Sequence, residues 1–166
     1  MQPIVIRDAV PGDHAALLAM NNATVPHVNA LSADEFAWLA SHAEYFRVSD
    51  SRDDPMGARG FVLALGSGLD YWSDNYRWYG TRRKNFLYLD RVVVAEEARH
   101  SGIGRALYAD IAAFARGKWP SIVLEVNLRP PNPVSLAFHQ AMGYQEVGVR
   151  EYDGNTRAVI MLERPT

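Results

Sequence analysis

The run FLYLDRVVVAEEARHSGIGRALYADIAAFAR, residues 86–116, decides how the rest of the chain is read. Phe86 to Val94 is rich in β-branched and aromatic residues and has charge on both sides, which predicts a buried strand. From Ile103 the period changes. Ile103, Leu107, Ile111 and Phe114 recur at helical spacing and form one apolar stripe. Between strand and helix lies Arg99-His100-Ser101-Gly102-Ile103-Gly104. Its glycines let the backbone turn sharply and approach a ligand with no Cβ in the way. The helix that follows offers unpaired N–H groups and the positive end of its dipole. This arrangement suits a phosphate or pyrophosphate, and an ordinary strand-to-helix turn is the plainer alternative. No Gly-Lys-Ser/Thr is present, so the loop is not a nucleoside-triphosphate loop. The three-glycine dinucleotide pattern is also absent, because no glycine stands three residues after Gly104.

A chain of 166 residues fits one domain with a real core. Its 17 basic and 19 acidic residues leave a net charge of −2, which gives no support for nucleic-acid binding or a polybasic membrane anchor. Cysteine is absent, which excludes disulfides, a thiol nucleophile and cysteine-ligated metals. The five histidines are scattered without ligand spacing to acidic residues, so no metal site is expected. The start MQPIVIRDA lacks the apolar core of a signal peptide, and no apolar run approaches the ~20 residues that span a bilayer. The expectation is a cytoplasmic protein.

Along the chain, Ile4–Ile6 is read as a first strand. Pro11-Gly12-Asp13 turns the chain, and Asp13 is placed to cap a helix carrying Leu17, Leu18 and Met20. That helix ends near residues 21–24. Ser32-Ala33-Asp34-Glu35 is a capping box opening a second helix with Phe36 and Leu39 inward. Tyr45–Val48 and Gly60–Leu65 are strands joined by a hairpin connection over 49–56. Residues 69–85, LDYWSDNYRWYGTRRKN, carry Tyr71, Trp72, Tyr76, Trp78 and Tyr79 with no clean period, so a long loop is expected. Two readings of it stand: a lid or wall over an acceptor pocket, or an aromatic minicore packed on the domain or on a second subunit, as in a homodimer. Ile122–Asn127 is a buried strand broken by Arg129-Pro130-Pro131. Asn132 heads a helix with Leu136, Phe138 and Met142 available to the core, and Gly143 stops it. Glu146–Tyr152 and Arg157–Leu162 flank the hairpin turn at Asp153-Gly154-Asn155. One α+β domain over residues 1–166, a mixed central sheet flanked by helices, is the economical reading.

Arg-x-x-Gly-x-Gly after a valine strand resembles the acetyl-CoA pyrophosphate loop of the GNAT superfamily of N-acetyltransferases. Glu125-Val126-Asn127, then Asn132, then Phe138-His139-Gln140-Ala141-Met142-Gly143-Tyr144, is similar to the second signature of that family. The predicted order of elements is also the GNAT order, and the Asp-Arg-Val-Val-Val strand with a Val-Pro element in the first loop looks most like a bacterial branch. The resemblance implies acetyl-CoA as acyl donor, held in a V-shaped cleft where the fourth and fifth strands splay. Backbone groups of Val92, Val93 and Val94 would bond the pantetheine arm. Amides of Arg99, His100, Ser101, Gly102, Ile103 and Gly104 would wrap the pyrophosphate, and Asn132 would contact the cofactor arm. Asn29, in the first inter-helical loop beside His27, and Trp72, Tyr76 and Trp78 would border the acceptor, a primary amine of a small molecule or peptide.

Such an amine attacks a thioester only when neutral, and an alkyl ammonium has a pKa near ~10.4, so a base is needed. Asp90 and Glu125 are carboxylates inside otherwise apolar strands; each is either paired or functional. Arg91 is next to Asp90, but neighbours in a strand face opposite sides, so that pair is not automatic. His139 stands where many family members carry a tyrosine acting as general acid, and histidine also donates a proton near neutrality. An inactive CoA-binding module, a sensor or partner subunit, is the competing function, and turnover of acetyl-CoA with amines separates the two.

Overall fold

Strands form where the β-branched and aromatic runs lie, and the computed structural model describes residues 4–26, 28–50 and 57–166. Seven strands make one mixed sheet: β1 (Val5–Asp8), β2 (Ala43–Asp50), β3 (Ala58–Gly66), β4 (Leu87–Val94), β5 (Ser121–Arg129), β6 (Gln145–Tyr152) and β7 (Arg157–Pro165). Their order is β1-β2-β3-β4-β5-β7-β6. Five helices accompany them: α1 (His14–Ala23), α2 (Ala33–His42), α3 (Asp74–Gly80), α4 (Ile103–Ala115) and α5 (Pro133–Ala141). The chain forms two compact units, Met1–Leu65 with Leu89–Phe114, and Gly66–Tyr88 with Ala115–Thr166.

In the first unit β1, β2 and β3 form an antiparallel meander, with Val5 opposite Asp50 and Tyr45 opposite Ala64. The first strand begins one residue later than expected and runs on to Asp8. β2 and β3 extend past their expected ends, and residues 51–56 of the expected connection lie outside the described residues. Leu17, Leu39, Val48 and Phe61 are wholly buried, and the rings of His14, Phe36, Phe46 and Phe61 pack edge-on or tilted.

The expected Asp13 cap is corrected by this structure. Asp13 ends a single 3₁₀ turn, Pro11–Asp13, and makes no side-chain cap for α1. Its carboxylate accepts from the Val10 N–H at 2.9 Å and pairs with Arg7 at 2.7 Å. A charged guanidinium is a stronger partner than a neutral amide, and it holds the Asp13 carboxyl below the usual range. The capping box at Ser32 and Glu35 forms as read, with both reciprocal bonds present. Helix α4 is fastened to β2 by Asp110, which accepts from the Tyr45 hydroxyl at 2.6 Å and from Arg47 at 2.8 Å.

In the second unit β5 pairs with β4 in parallel at Leu87/Ile122 and Tyr88/Val123, and with β7 antiparallel along most of its length. β6 closes the unit against β7, across the left-handed turn at Asp153, Gly154 and Asn155. The expected loop over 69–85 contains helix α3, a correction to that reading. Ser73 caps it by accepting from the Tyr76 N–H. Its inward face is Tyr76 and Tyr79, three residues apart and both buried. The Tyr76 hydroxyl donates to the Gly66 carbonyl at 2.6 Å and accepts from the Leu69 N–H at 3.0 Å. The Tyr79 hydroxyl lies 2.6 and 2.9 Å from the carbonyl oxygens of Leu124 and Leu162. Tyr71, Tyr76, Tyr79, Phe86 and Tyr88 form a continuous ring cluster. The tyrosines of this segment therefore belong to a core, each with its hydroxyl supplied or its ring stacked.

Candidate functional site

On the first unit, the glycine loop has the conformation that its sequence calls for. Gly102 has φ +89° and His100 φ +62°, so the chain turns twice through the left-handed region before α4 begins. The Ala106 N–H bonds the Gly102 carbonyl, which makes Gly102 the entry to α4. The Ser101 hydroxyl donates to the Ala98 carbonyl and closes the loop on itself. Ile103 is 3% exposed and anchors the helix start, while Arg99 and His100 are exposed. A Cβ placed on Gly104 would meet no heavy atom within 4 Å, so this first turn is open to a ligand. Left-handed glycine and an open first turn fit a pyrophosphate, while the Arg99 N–H is already given to the Glu96 carbonyl at 3.2 Å.

A residue missed by sequence reading sets the loop's seat. A Cβ on Gly60 of β3 would lie 2.9 Å from the Val93 carbonyl oxygen and 3.2 Å from Ile103 Cγ2. The Arg59 carbonyl accepts from the Ala95 N–H at 2.9 Å. Glycine on β3 thus lets the end of β4 and the start of α4 sit against the strand. Of the three expected cofactor-contacting valines, Val93 is buried, and Val92 and Val94 are half-buried.

Asp90 is the centre of a second arrangement in this unit. Its carboxylate pairs with Arg91 Nε at 2.7 Å, both side chains at most 6% exposed. The pair that strand alternation leaves open does form, because the long arginine side chain curls back to its neighbour. Arg91 Nη1 also donates to Asn21 Oδ1 at 2.9 Å. Asn21 is wholly buried in α1, and its amide donates to the Asn29 carbonyl at 3.0 Å. Asn22 holds both backbone groups of Leu31. Asn29 is itself exposed and is positioned through its backbone. His27 lies outside the described residues.

On the second unit, Glu125 of β5 is half-buried. The Tyr88 hydroxyl stands 2.9 Å from each carboxylate oxygen. Asn75 of α3 donates its amide to Oε1 at 2.9 Å, and Arg150 of β6 donates Nε to Asn75 Oδ1 at 2.6 Å. The Arg150 guanidinium also lies over the Tyr152 ring, 4.6 Å from its centroid. A carboxylate so held is oriented and partly desolvated, a fit arrangement for accepting a proton. Tyr88, Asn75 and Arg150 were not singled out from sequence. The signal for Tyr88 was a polar tip two residues before Asp90 on the same strand; Asn75 and Arg150 read as ordinary surface residues.

The remaining expected residues fall as follows. Asn132 caps α5, its Oδ1 accepting from the Ser135 N–H at 3.1 Å. His139 is buried at 7% exposure, while Leu136, Phe138 and Met142, expected inward, are half-buried. His139 Nδ1 lies 2.7 Å from the Ser135 carbonyl, which only accepts, so Nδ1 carries the proton. Burial pushes the imidazole below its usual range. Tyr76 is buried, Trp72 is 43% exposed against Tyr71, and Trp78 is half-buried beneath Arg82.

The acetyltransferase (GNAT) family model matches residues 19–144. A search of curated proteins finds no match. Among solved structures the chain is similar to a chain of the NatC complex bound to Gag peptide and CoA, with 16% identity, a TM-score of 0.77 and coverage of 100% of this chain and 99% of that one. It is similar to the ribosomal-protein-S18-alanine N-acetyltransferase from Escherichia coli, with 14% identity, a TM-score of 0.74 and coverage of 98% and 94%. Arabidopsis thaliana NAA60 in complex with a bisubstrate analogue shows 18% identity, a TM-score of 0.76 and coverage of 98% of each chain. Identities this low carry the fold, and the family match carries membership: the chain belongs to the acetyltransferase (GNAT) family.

Proposed function

We propose that the protein is an acetyl-CoA-dependent N-acetyltransferase that acetylates a primary amine of a small molecule or peptide. The observation that carries this reading is the glycine loop, left-handed at Gly102 and open at Gly104. Similar folds hold CoA or acetyl-CoA, and two of them are described with a peptide or a ribosomal protein. That favours a peptide amine among the acceptors.

Acetyl-CoA, when bound, supplies an acyl group activated as a thioester. The loop over residues 99–104 would hold its pyrophosphate, backbone groups of Val92–Val94 would bond its arm, and Asn132 would add its amide nitrogen. Glu125 takes the proton of the incoming ammonium, held for that task by Tyr88 and Asn75. In the transfer a C–N bond to the acyl carbon would form as the C–S bond breaks, and the second proton shed by the acylated nitrogen would pass through water to the thiolate. Asp90 is committed to Arg91, which makes Glu125 the better base. His139 gives its one N–H to Ser135 and stays neutral at neutral pH, so it clamps α5.

Turnover of acetyl-CoA with a panel of peptide α-amines and small amines tests the reading. Thiol release with at least one amine, lost in Glu125→Gln by about 100-fold or more, is the expected result. Tight CoA binding with no turnover on any amine would favour the inactive CoA-binding module.

A further inference from the structure

Tyr88 and Asn75 meet at Glu125, Arg150 stands behind Asn75, and the order is fixed by chemistry. Arginine has donors and no acceptor, so the Asn75 atom facing Arg150 Nε at 2.6 Å is Oδ1. The same amide therefore turns Nδ2 toward Glu125 Oε1, at 2.9 Å. The carboxylate, which only accepts, asks for the same orientation from the other side, so the Asn75 amide bridges the Arg150 cation and Glu125, and without Arg150 its Oδ1 loses the partner that fixes it. Arg150 is itself held on the Tyr152 ring, two residues along the same strand face.

We infer that Asn75 and Arg150 are positioning residues: Arg150 sets the Asn75 amide, and the amide with the cation behind it keeps the Glu125 carboxylate aimed and ionised. The inference rests on the reading of Glu125 as the base. The groups facing Glu125 include Tyr88 of β4, Asn75 and Tyr79 of α3, and, through Asn75, Arg150 of β6. Burial and the nearby Glu125 charge hold the Tyr79 hydroxyl above its usual range. Arg150 puts a positive charge behind the Asn75 amide. A donor and a positive charge both favour the ionised carboxylate, so removing them moves its titration to higher pH.

The test compares the wild type with Arg150→Met, Arg150→Lys, Asn75→Leu and Glu125→Gln. Carbon-detected NMR of glutamate side chains follows the Glu125 titration directly, with Glu125→Gln assigning the signal and no acceptor required. Arg150→Met should raise the Glu125 midpoint by about half to one pH unit, through loss of charge and donor together. Arg150→Lys should recover part of that shift, because charge returns without the planar Nε–H. In turnover, the acid limb of kcat/KM should move with the NMR midpoint, a rate loss of about three- to tenfold one unit below the limb. Arg150 is half-exposed, so its variants should stay folded even if Asn75→Leu does not. An unchanged Glu125 midpoint in Arg150→Met and Arg150→Lys would overturn the relay. A Glu125→Gln variant with full turnover would overturn the base reading instead, and the NMR arm would still decide the relay.

Discussion

The benzo edge of Trp78 lies so close to Gly148 that a Cβ built there would stand 2.6 Å from Cζ2 and 2.9 Å from Cη2. The Arg82 guanidinium covers the ring, 3.9 Å from its centroid. Trp78 therefore spans from α3 to β6, with its face committed to protein. Gly148→Ala must push the indole out of its seat and should cost about 1–3 kcal/mol, the range for overpacking. Trp78→Ala, at a half-buried site, should cost about 2 kcal/mol, below the range for fully buried tryptophan. Thermal melts check both. Variants that melt like the wild type but bind the acceptor less well would return Trp78 to the acceptor wall.

Gly104 separates ligand approach from folding. The space its Cβ would enter is open in the protein, and its φ is not left-handed. Gly104→Ala should leave the melting temperature unchanged or slightly higher, since alanine is the better helix former by about 1 kcal/mol. Affinity for acetyl-CoA should fall, because the added methyl occupies the pyrophosphate path. Gly102→Glu should abolish binding, placing a side chain and a negative charge at a φ of +89°. Calorimetric titration with acetyl-CoA that gives wild-type affinity for both folded variants would remove the loop from the cofactor site.

Much of this site was legible in the sequence because its signals are local. The valine strand, the paired glycines, the Ser32/Glu35 box and the Asn132 cap each announce themselves within a few residues. Helix α3 did not, because its aromatics show no clean period in the sequence, and Tyr76 and Tyr79 face inward only where their hydroxyls find Gly66, Leu124 and Leu162. Asn75 and Tyr88 reach Glu125 from 50 and 37 residues away, with Arg150 behind Asn75, and no spacing rule links such separations. The Asp90–Arg91 pair was left open for a different reason: strand alternation describes where Cβ points, not where a long guanidinium ends.

The Asp90–Arg91–Asn21 chain predicts a stability phenotype. Removing one partner of a buried ion pair leaves the other uncompensated, at about 3–5 kcal/mol. Arg91→Met and Asp90→Ala should both fall in that range by denaturant melts, and Asn21→Ala should be milder at about 1–3 kcal/mol, since it orphans a hydrogen bond to a charged group. Asp90→Asn keeps a hydrogen-bond acceptor for Arg91 and should be the mildest change at that position. Its acid limb in kcat/KM should match the wild type when rates are corrected for folded protein. A limb displaced in Asp90→Asn and unmoved in Glu125→Gln would exchange the roles of the two carboxylates.

His139 makes stability depend on pH in a window of its own. Its imidazole is buried, and burial holds its folded pKa below the usual range for histidine, so the unfolded chain binds the proton more readily. The sign follows: stability is full above the unfolded value and is lost as pH falls through about 6.5 toward the folded value. Asp13 and Glu163, whose carboxyls are also held low by arginine partners, contribute in the same direction but only near about pH 4 and below. The loss between about pH 7 and 5.5 should therefore carry the His139 contribution. His139→Gln should flatten the melting temperature over that interval while leaving the acid-side loss near pH 4 in place. The same variant should retain the alkaline limb of the rate profile, since a neutral imidazole whose N–H is held by Ser135 has no proton to give the departing thiolate. A variant that melts with the wild-type pH slope would remove the buried-imidazole argument. A variant that melts normally but loses the alkaline limb would assign His139 the acid's role.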